Sequence, residues 1–324
     1  PVVEIVFTRL HAGGKFDKAA GGAYTFSGGL HGVGVSVTNA LATRLAVTVW
    51  RDGQVSELEF ADGGNVDVAL HSRAAQRGEK KSGTRVTVWP DLKYFDNPTL
   101  PLSELQRLLR SKAVLLPGVR VTLRQEKTGD EQTWCYEHGL RGYLVESLGG
   151  AEPLIPLFED ERFADGNEDS FAEGEGAAWV VAWTEDGAPV RESYVNLIPT
   201  PAGGTHESGL REGLFQAVRG FIELHNLQPK GVKLLPEDVF SRVSFVLSAK
   251  VLDPQFQGQI KERLNSRDAV RLVSSFTRPA LELWLNHHVE HGKKLAELVI
   301  RQAQARTRAG QKIEKKKSSG VAVL

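Results

Sequence analysis

The run Leu45-Ala-Val-Thr-Val-Trp-Arg51, the pair Asp52-Gly53 and the run Val55-Ser-Glu-Leu-Glu-Phe60 constrain the fold more than any other stretch of this chain. Asp-Gly tolerates the left-handed backbone of a two-residue hairpin turn, and β-branched and aromatic residues flank it, so the segment predicts an antiparallel hairpin. Thr84-Arg-Val-Thr-Val-Trp89, stopped by Pro90, and Val119-Arg-Val-Thr-Leu123 read as two more strands. Leu105, Leu108, Leu109 and Val114 recur at helical spacing, which predicts a helix over 102–116. Helix beside an antiparallel sheet makes the first part of the chain α+β.

The second half repeats the theme. Ala178-Trp-Val-Val-Ala-Trp183, Asp186-Gly187 and Val190-Arg-Glu-Ser-Tyr-Val195 read as strand, turn and strand. An amphipathic helix is expected over 210–224, and a strand over 242–252 that ends at Asp253-Pro254. From about Asp268 the chain reads as helix almost to its end, with Gly292 as the expected break. This half is α+β too, and no repeat of fixed period runs through the chain.

Net charge is zero, 40 Lys+Arg against 40 Asp+Glu, but the charges are segregated. Residues 159–175 hold eight acidic residues and one arginine, Arg162; residues 293–317 hold nine basic residues and two acidic ones, Glu297 and Glu314. With Gly166, Gly174 and Gly176 the acidic stretch reads as a solvated linker, which sets a domain boundary there. The basic stretch reads either as a solvated linker or as a helix facing a polyanion.

At 41% apolar and 25% charged, the composition is that of an ordinary globular protein. No apolar run approaches the roughly 20 residues of a membrane span, and the first ten residues lack the pattern of a signal peptide. A cytoplasmic protein is expected. The lone Cys135 excludes an internal disulfide and is expected half-buried beside Trp134 and Tyr136. The chain starts at Pro1 and contains no Met, so it is expected to be a piece of a longer protein.

Ser27-Gly-Gly-Leu-His-Gly-Val-Gly34 is the densest glycine cluster, and Val35-Ser-Val-Thr-Asn-Ala-Leu41 after it reads as a helix. A glycine loop opening a helix presents free backbone N–H groups at the positive end of the helix dipole, which suits a phosphate; tight turns alone would use the same glycines. No Lys-Ser/Thr follows, so this is not a P-loop, and no βαβ context makes it a dinucleotide fingerprint. Lys15, after Gly13-Gly14, reaches a phosphate only if its loop folds over one; otherwise it is a solvated lysine. Lys261 lies just past a Pro/Gly-rich turn where an ordinary helix could begin. His287 and His291, at i and i+4 without a third ligand, make at best a weak metal pair.

Leu10-His-Ala-Gly-Gly-Lys-Phe16, the glycine cluster with its helix through Leu41, Gly203-Gly-Thr-His206 and Asp253-Pro-Gln-Phe-Gln-Gly-Gln-Ile-Lys261 occur in that order. Together they resemble the B subunit of a bacterial type IIA topoisomerase, end to end. Glu192-Ser-Tyr-Val-Asn-Leu-Ile-Pro-Thr200 and the basic Lys315-Lys-Lys-Ser-Ser-Gly320 make the likeness closer to topoisomerase IV than to gyrase. The resemblance implies a GHKL-type ATPase domain followed by a ribosomal-S5-like transducer domain with a long C-terminal helix. The expected segments are 1–172, 173–292 and a basic helical linker over 293–324 leading towards a toprim domain.

It further implies that Gly29, Leu30, His31, Gly32, Val33 and Gly34 hold the ATP phosphates, that Lys15 and Tyr24 belong to a lid, and that Thr84 sits beside the adenine. Arg51 matches an arginine at the mouth of the pocket where aminocoumarins bind. Gln259 and Lys261 match the transducer pair that meets the γ-phosphate; Ile260 stands where the family usually has Thr. Lys312, Lys315, Lys316 and Lys317 are expected to face DNA. The family's catalytic Glu, its Mg²⁺-binding Asn and its adenine-reading Asp match no residue of this sequence, so no metal ligand is assigned here and the chain by itself is expected not to hydrolyse ATP. The implied partners are double-stranded DNA, an A subunit (ParC-like) in an A2B2 heterotetramer, and a second copy of the same subunit through ATP-dependent dimerisation. A gyrase B subunit, another GHKL protein, or a non-enzymatic nucleotide-binding module are the competing readings.

Overall fold

The computed structural model describes residues 2–12, 26, 32–97, 99–166 and 171–319. Contacts divide the chain into two compact units, one through Leu105 and one from Gln106 onward.

In the first unit, helices α1 (Val2–Thr8) and α2 (Gly34–Ala40) precede strands β1 (Ala42–Arg51), β2 (Gln54–Ala61), β3 (Asn65–Ala74) and β4 (Gly83–Pro90). They form an antiparallel sheet in the order β3-β2-β1-β4. The hairpin read from sequence is present: Arg51 pairs with Gln54, and Asp52 (φ 51°) and Gly53 (φ 72°) both take the left-handed backbone of a type I′ turn. Its alternation buries Leu45 and Val47 with Leu58 and Phe60, and Phe7 of α1 covers them, its ring 6.0 Å from that of Phe60.

Helix α3 (Leu102–Leu115) leads into the second unit, where β5 (Val121–Arg124) and β6 (Glu131–Trp134) form a small hairpin before α4 (Gly139–Ser147). The main sheet comprises β7 (Phe158–Phe163), β8 (Gly176–Trp183), β9 (Arg191–Val195), β10 (Ile198–Pro199) and β11 (Val243–Lys250). Helices α5 (Thr205–Leu224), α6 (Pro236–Phe240), α7 (Asp268–His287) and α8 (Val289–Ser319) complete the unit. The spatial order is β10-β9-β11-β8-β7.

β8 and β9 flank Asp186-Gly187 but do not pair with each other. β11 lies between them, antiparallel to β8 and parallel to β9. A parallel return needs a crossover, and α5 supplies it, so the Asp-Gly pair here joins strands two positions apart. The sequence of β11 explains its central place. Phe245, Leu247 and Ala249 face the core built on α5 and α7, while Val246 faces the core with Ala113, Tyr143 and Leu144 from α3 and α4. A strand apolar on both faces has to be covered on both.

Two local expectations are corrected. The acidic stretch is not loop from its start: Glu159, Asp160 and Glu161 belong to β7, which among the described residues pairs only with β8, and their charges suit a sheet edge. The helical stretch breaks at His288, the C-cap of α7 (φ −124°, ψ 58°), not at Gly292. Gly292 is helical, and a Cβ there would lie 2.4 Å from the Phe221 ring, so that glycine serves close packing of α8 on α5. Cys135 is partly buried, as expected.

Candidate functional site

Of the predicted phosphate loop, Gly29, Leu30 and His31 lie outside the described residues, as do Lys15 and Tyr24. Gly32, Val33 and Gly34 are described. Gly32 takes a left-handed φ of 59°, and Val33 precedes α2 with no side-chain cap. The first backbone bond of α2 runs from the Val37 N–H to the Val33 carbonyl, so the amides of Gly34, Val35 and Ser36 have no acceptor in the helix. Asn39 anchors the helix from below, its Nδ2 donating to the Phe7 carbonyl at 3.0 Å.

Thr84 stands on β4 opposite Val49, and the next β1–β4 pair is Trp50 with Gly83. Arg51 follows Trp50, so the structure brings Arg51 and Thr84 to one end of the sheet. It is the opposite end of β1 from Ala42, where α2 enters. The Arg51 side chain is exposed and its Nε lies 3.2 Å from Asp52 Oδ2. Arg85 and Lys80 lie over the Trp50 ring at 5.5 and 5.7 Å, which gives this end of the sheet a cationic rim.

Gln259 and Lys261 belong to the second unit. No helix begins there. Residues 253–266 form a hairpin-like loop in which Phe256 bridges Leu264 and the Gln257 N–H donates to the Arg263 carbonyl at 2.8 Å. Its tip carries Gln259 and Ile260, the latter 82% exposed, and Lys261. Lys261 is half-buried, burial pulls its ammonium below the ordinary value, and its backbone is left-handed, φ 62°. A non-glycine residue in that region stores roughly 1 kcal/mol, and such strain persists only where the surroundings impose it.

The surroundings come from Glu192-Ser-Tyr-Val-Asn-Leu-Ile-Pro-Thr200 and Gly203-Gly-Thr-His206. Buried Asn196 accepts from the Val251 N–H at 2.9 Å and donates to the Val251 carbonyl at 2.7 Å, clamping the chain as it leaves β11. Glu192 accepts from the hydroxyls of Tyr143 and Tyr194, and Ser193 donates to Glu207. Ser193 also meets the Thr200 hydroxyl at 2.7 Å, and Thr200 meets His206 Nε2 at 3.0 Å. Sequence reasoning used these segments to sort the chain among relatives and gave Asn196 and His206 no task. The two polar residues Asn196 and Thr200, bracketing the apolar Leu197-Ile198-Pro199, were the available signal.

Burial pushes the His206 imidazole down to about 3 and raises the Glu207 carboxyl. For His206 the folded form disfavours the proton, so its contribution is complete above about pH 6.5 and is lost as pH falls from there towards 3. At pH 5 the loss is about 2 kcal/mol. Glu207 works the other way, since its burial cost is relieved on protonation. Urea unfolding of the chain at pH 7 and pH 5 is therefore expected to show a smaller acid loss in His206→Gln than in the native sequence; equal losses would remove His206 as the source.

The basic stretch is not uniformly available. Lys293 pairs with Glu290, Arg301 with Glu185, and Arg306 with the buried Asp238 at 2.9 Å. Asp238 also caps α6 through the Leu235 N–H. Arg301 and Arg306 hold α8 to its own unit, while the Lys293 pair lies within the helix. Lys312, Lys315, Lys316 and Lys317 fall in the last turns of α8.

The fold of the chain is shared with known proteins. A family model described as DNA gyrase B matches residues 139–315. The chain belongs to this family, the B subunits of type IIA topoisomerases. Within it, the B subunit of DNA topoisomerase 4 from Pseudomonas aeruginosa is 49% identical over 319 residues, 98% of this chain and 49% of that protein. The topoisomerase IV ATP-binding domain of Francisella tularensis, solved with a small-molecule inhibitor, superposes with a TM-score of 0.68 at 35% identity, over 94% of this chain and 78% of that one. The 43K ATPase domain of Thermus thermophilus gyrase B, solved with an aminocoumarin, gives 0.71 at 26% identity, over 97% and 78%. The chain spans about half the length of the curated relatives it matches.

Proposed function

We propose that this chain is the ATP-binding and transducing part of the ATP-hydrolysing subunit of topoisomerase IV, which drives relaxation and decatenation of DNA. The observation that carries the reading is Lys261, held left-handed at the tip of a hairpin whose base is clamped on the adjoining sheet and helix. A lysine on a rigid mount senses whether a terminal phosphate is present; a lysine on a mobile loop pays ordering entropy each time. In this reading Gly29, Leu30, His31, Gly32, Val33 and Gly34 cradle the phosphates, Lys15 and Tyr24 close over them, and Thr84 lies beside the base. Gln259 and Lys261 stabilise charge on the transferring phosphoryl group, where positioning and electrostatics supply most of the catalysis. Arg51, on the cationic rim, stands at the mouth of the inhibitor pocket. The family division at 1–172, 173–292 and 293–324 is part of the same proposal.

Among the described residues no group of three or more His, Cys, Asp and Glu is arranged to hold a metal ion. No described helix is long and apolar enough to cross a membrane. Partners in the full-length protein are an A subunit (ParC-like) in an A2B2 assembly, double-stranded DNA, and a second copy of the same subunit on ATP binding; the place of action is the cytoplasmic nucleoid.

The test is ATP-dependent decatenation, with the full-length protein assembled with its A subunit. Decatenation without net supercoiling supports topoisomerase IV, ATP-dependent supercoiling supports gyrase, and neither activity overturns the proposal. The tail has its own test. Replacing Lys315, Lys316 and Lys317 by Gln is expected to flatten the slope of log affinity for duplex DNA against log salt by up to about 2.7. An unchanged slope would leave these residues as a solvated linker.

A further inference from the structure

We infer that Gly204 is a positioning residue for Lys261: its missing side chain is what allows the lysine hairpin to pair with the start of α5. Three backbone hydrogen bonds make that pairing. The Ala202 N–H donates to the Glu262 carbonyl at 3.1 Å, the Leu264 N–H to the Gly203 carbonyl at 3.1 Å, and the Thr205 N–H to the Leu264 carbonyl at 3.0 Å. Arg263 adds a fourth from its guanidinium to the Ala202 carbonyl at 3.1 Å. The return arm of the hairpin is thus laid as a parallel bridge along residues 202–205, three residues from the lysine.

Gly204 occupies the point of closest approach. Its φ is 144°, and a Cβ built there would lie 2.4 Å from the Leu264 carbonyl oxygen, 2.6 Å from its nitrogen and 2.9 Å from its Cα. These are backbone atoms of a fully buried residue, so no side chain can swing aside to make room. The clash at Gly203 differs in kind. There a Cβ would meet the Glu207 carboxylate, the far end of a flexible side chain. Of the two adjacent glycines, Gly204 is the one whose substitution must lift the hairpin.

The two ends of the loop are held by different devices. Asn196 and Glu175 fix Val251 and Leu252 at the outgoing end, the latter through the Leu252 N–H at 2.7 Å, while Gly204 fixes Leu264 at the returning end. Releasing the returning end removes the backbone bonds that fix the arm behind the left-handed turn at Lys261, and the ammonium loses its fixed direction while β11 and α5 stay formed. The inference rests on the proposed role of Lys261 and adds to it the part that aims the lysine.

The experiment compares steady-state ATP turnover of the full-length protein carrying Lys261→Ala, Gly204→Ala, or both, with amide hydrogen exchange of the present chain carrying Gly204→Ala. Exchange at Leu264 and Thr205 is expected to quicken at least about tenfold while the β11 amides keep their protection. Gly204→Ala is expected to lower kcat roughly tenfold with KM for ATP within about twofold, and the double variant to be no slower than Lys261→Ala alone, since residues acting as one unit are not additive. If Gly204→Ala does not fold, Arg263→Ala removes only the side-chain staple and is expected to cost about threefold in kcat, again not compounded with Lys261→Ala. Unchanged exchange at Leu264, or losses that multiply in the double variant, would overturn the positioning role while leaving the function of Lys261 standing. A neutral Lys261→Ala would overturn both, and is told apart by that single variant.

Discussion

Replacing Gly213 by leucine is expected to lower the stability of the second unit by at least about 3 kcal/mol, more than any surface change in the same helix. Helices α5 and α7 touch through glycine. A Cβ on Gly213 would lie 2.1 Å from Thr277 Oγ1 and 3.2 Å from the Arg278 nitrogen, and one on Gly209, a turn earlier, 2.6 Å from the Val270 carbonyl oxygen. Thr277 cannot move away freely, because its hydroxyl donates to the Val273 carbonyl at 2.9 Å in a site with no solvent exposure. Leucine would gain roughly 0.8 kcal/mol of helix propensity over glycine, so the sign of the result separates local preference from packing. Gly220, exposed on the same helix with nothing within 4 Å of its would-be Cβ, is the control. Gly220→Ala is expected to raise stability by about 0.5–1 kcal/mol. Both are read from urea unfolding followed by the fluorescence of buried Trp179 and Trp183. A Gly213→Leu midpoint close to the native one would mean that the two helices are not in glycine contact.

How far the sequence carried can be judged from β8, β9 and β11. Each strand was legible from its apolar run, and Asp52-Gly53 specified its hairpin correctly because β1 and β2 are neighbours in both chain and space. Asp186-Gly187 carried the same local signal with a different outcome, since pairing in the second unit is decided by α5 laying β11 between the strands. Local turn chemistry cannot report on a strand about fifty residues away. The glycines divide the same way. Gly53 needs a left-handed backbone, which its neighbours announce. Gly204, Gly213 and Gly292 are required by surfaces that only tertiary structure brings against them. Lys261 was legible as a candidate through resemblance alone. Its own neighbours suggested a helix start, whereas the structure has a clamped turn built from Asn196, Gly204 and Leu264.

Lys261→Ala in the full-length protein is expected to lower the rate of ATP hydrolysis by roughly 10- to 150-fold, the loss of one charge-assisted contact worth about 1.5–3 kcal/mol. Affinity for ADP, which lacks the phosphate that the lysine is proposed to meet, is expected to change far less, so turnover and ADP competition are measured together. The backbone supplies a further discriminator. Lys261 sits at φ 62°, where glycine is at ease, so Lys261→Gly removes the strain along with the charge. Relief of strain and the extra freedom of glycine in the unfolded chain are each worth up to about 1 kcal/mol and oppose each other. Lys261→Gly is thus expected to match the native stability to within about 1 kcal/mol while losing as much activity as Lys261→Ala. Lys261→Arg keeps the charge but replaces a compact ammonium with a planar fork, and is expected to recover only part of the rate. Ile260, 82% exposed beside it, is expected to tolerate Thr with no loss of stability. If Lys261→Gly and Lys261→Ala both turn over ATP within twofold of the native protein, the mounted lysine is a structural accident and the phosphate-sensing role falls with it.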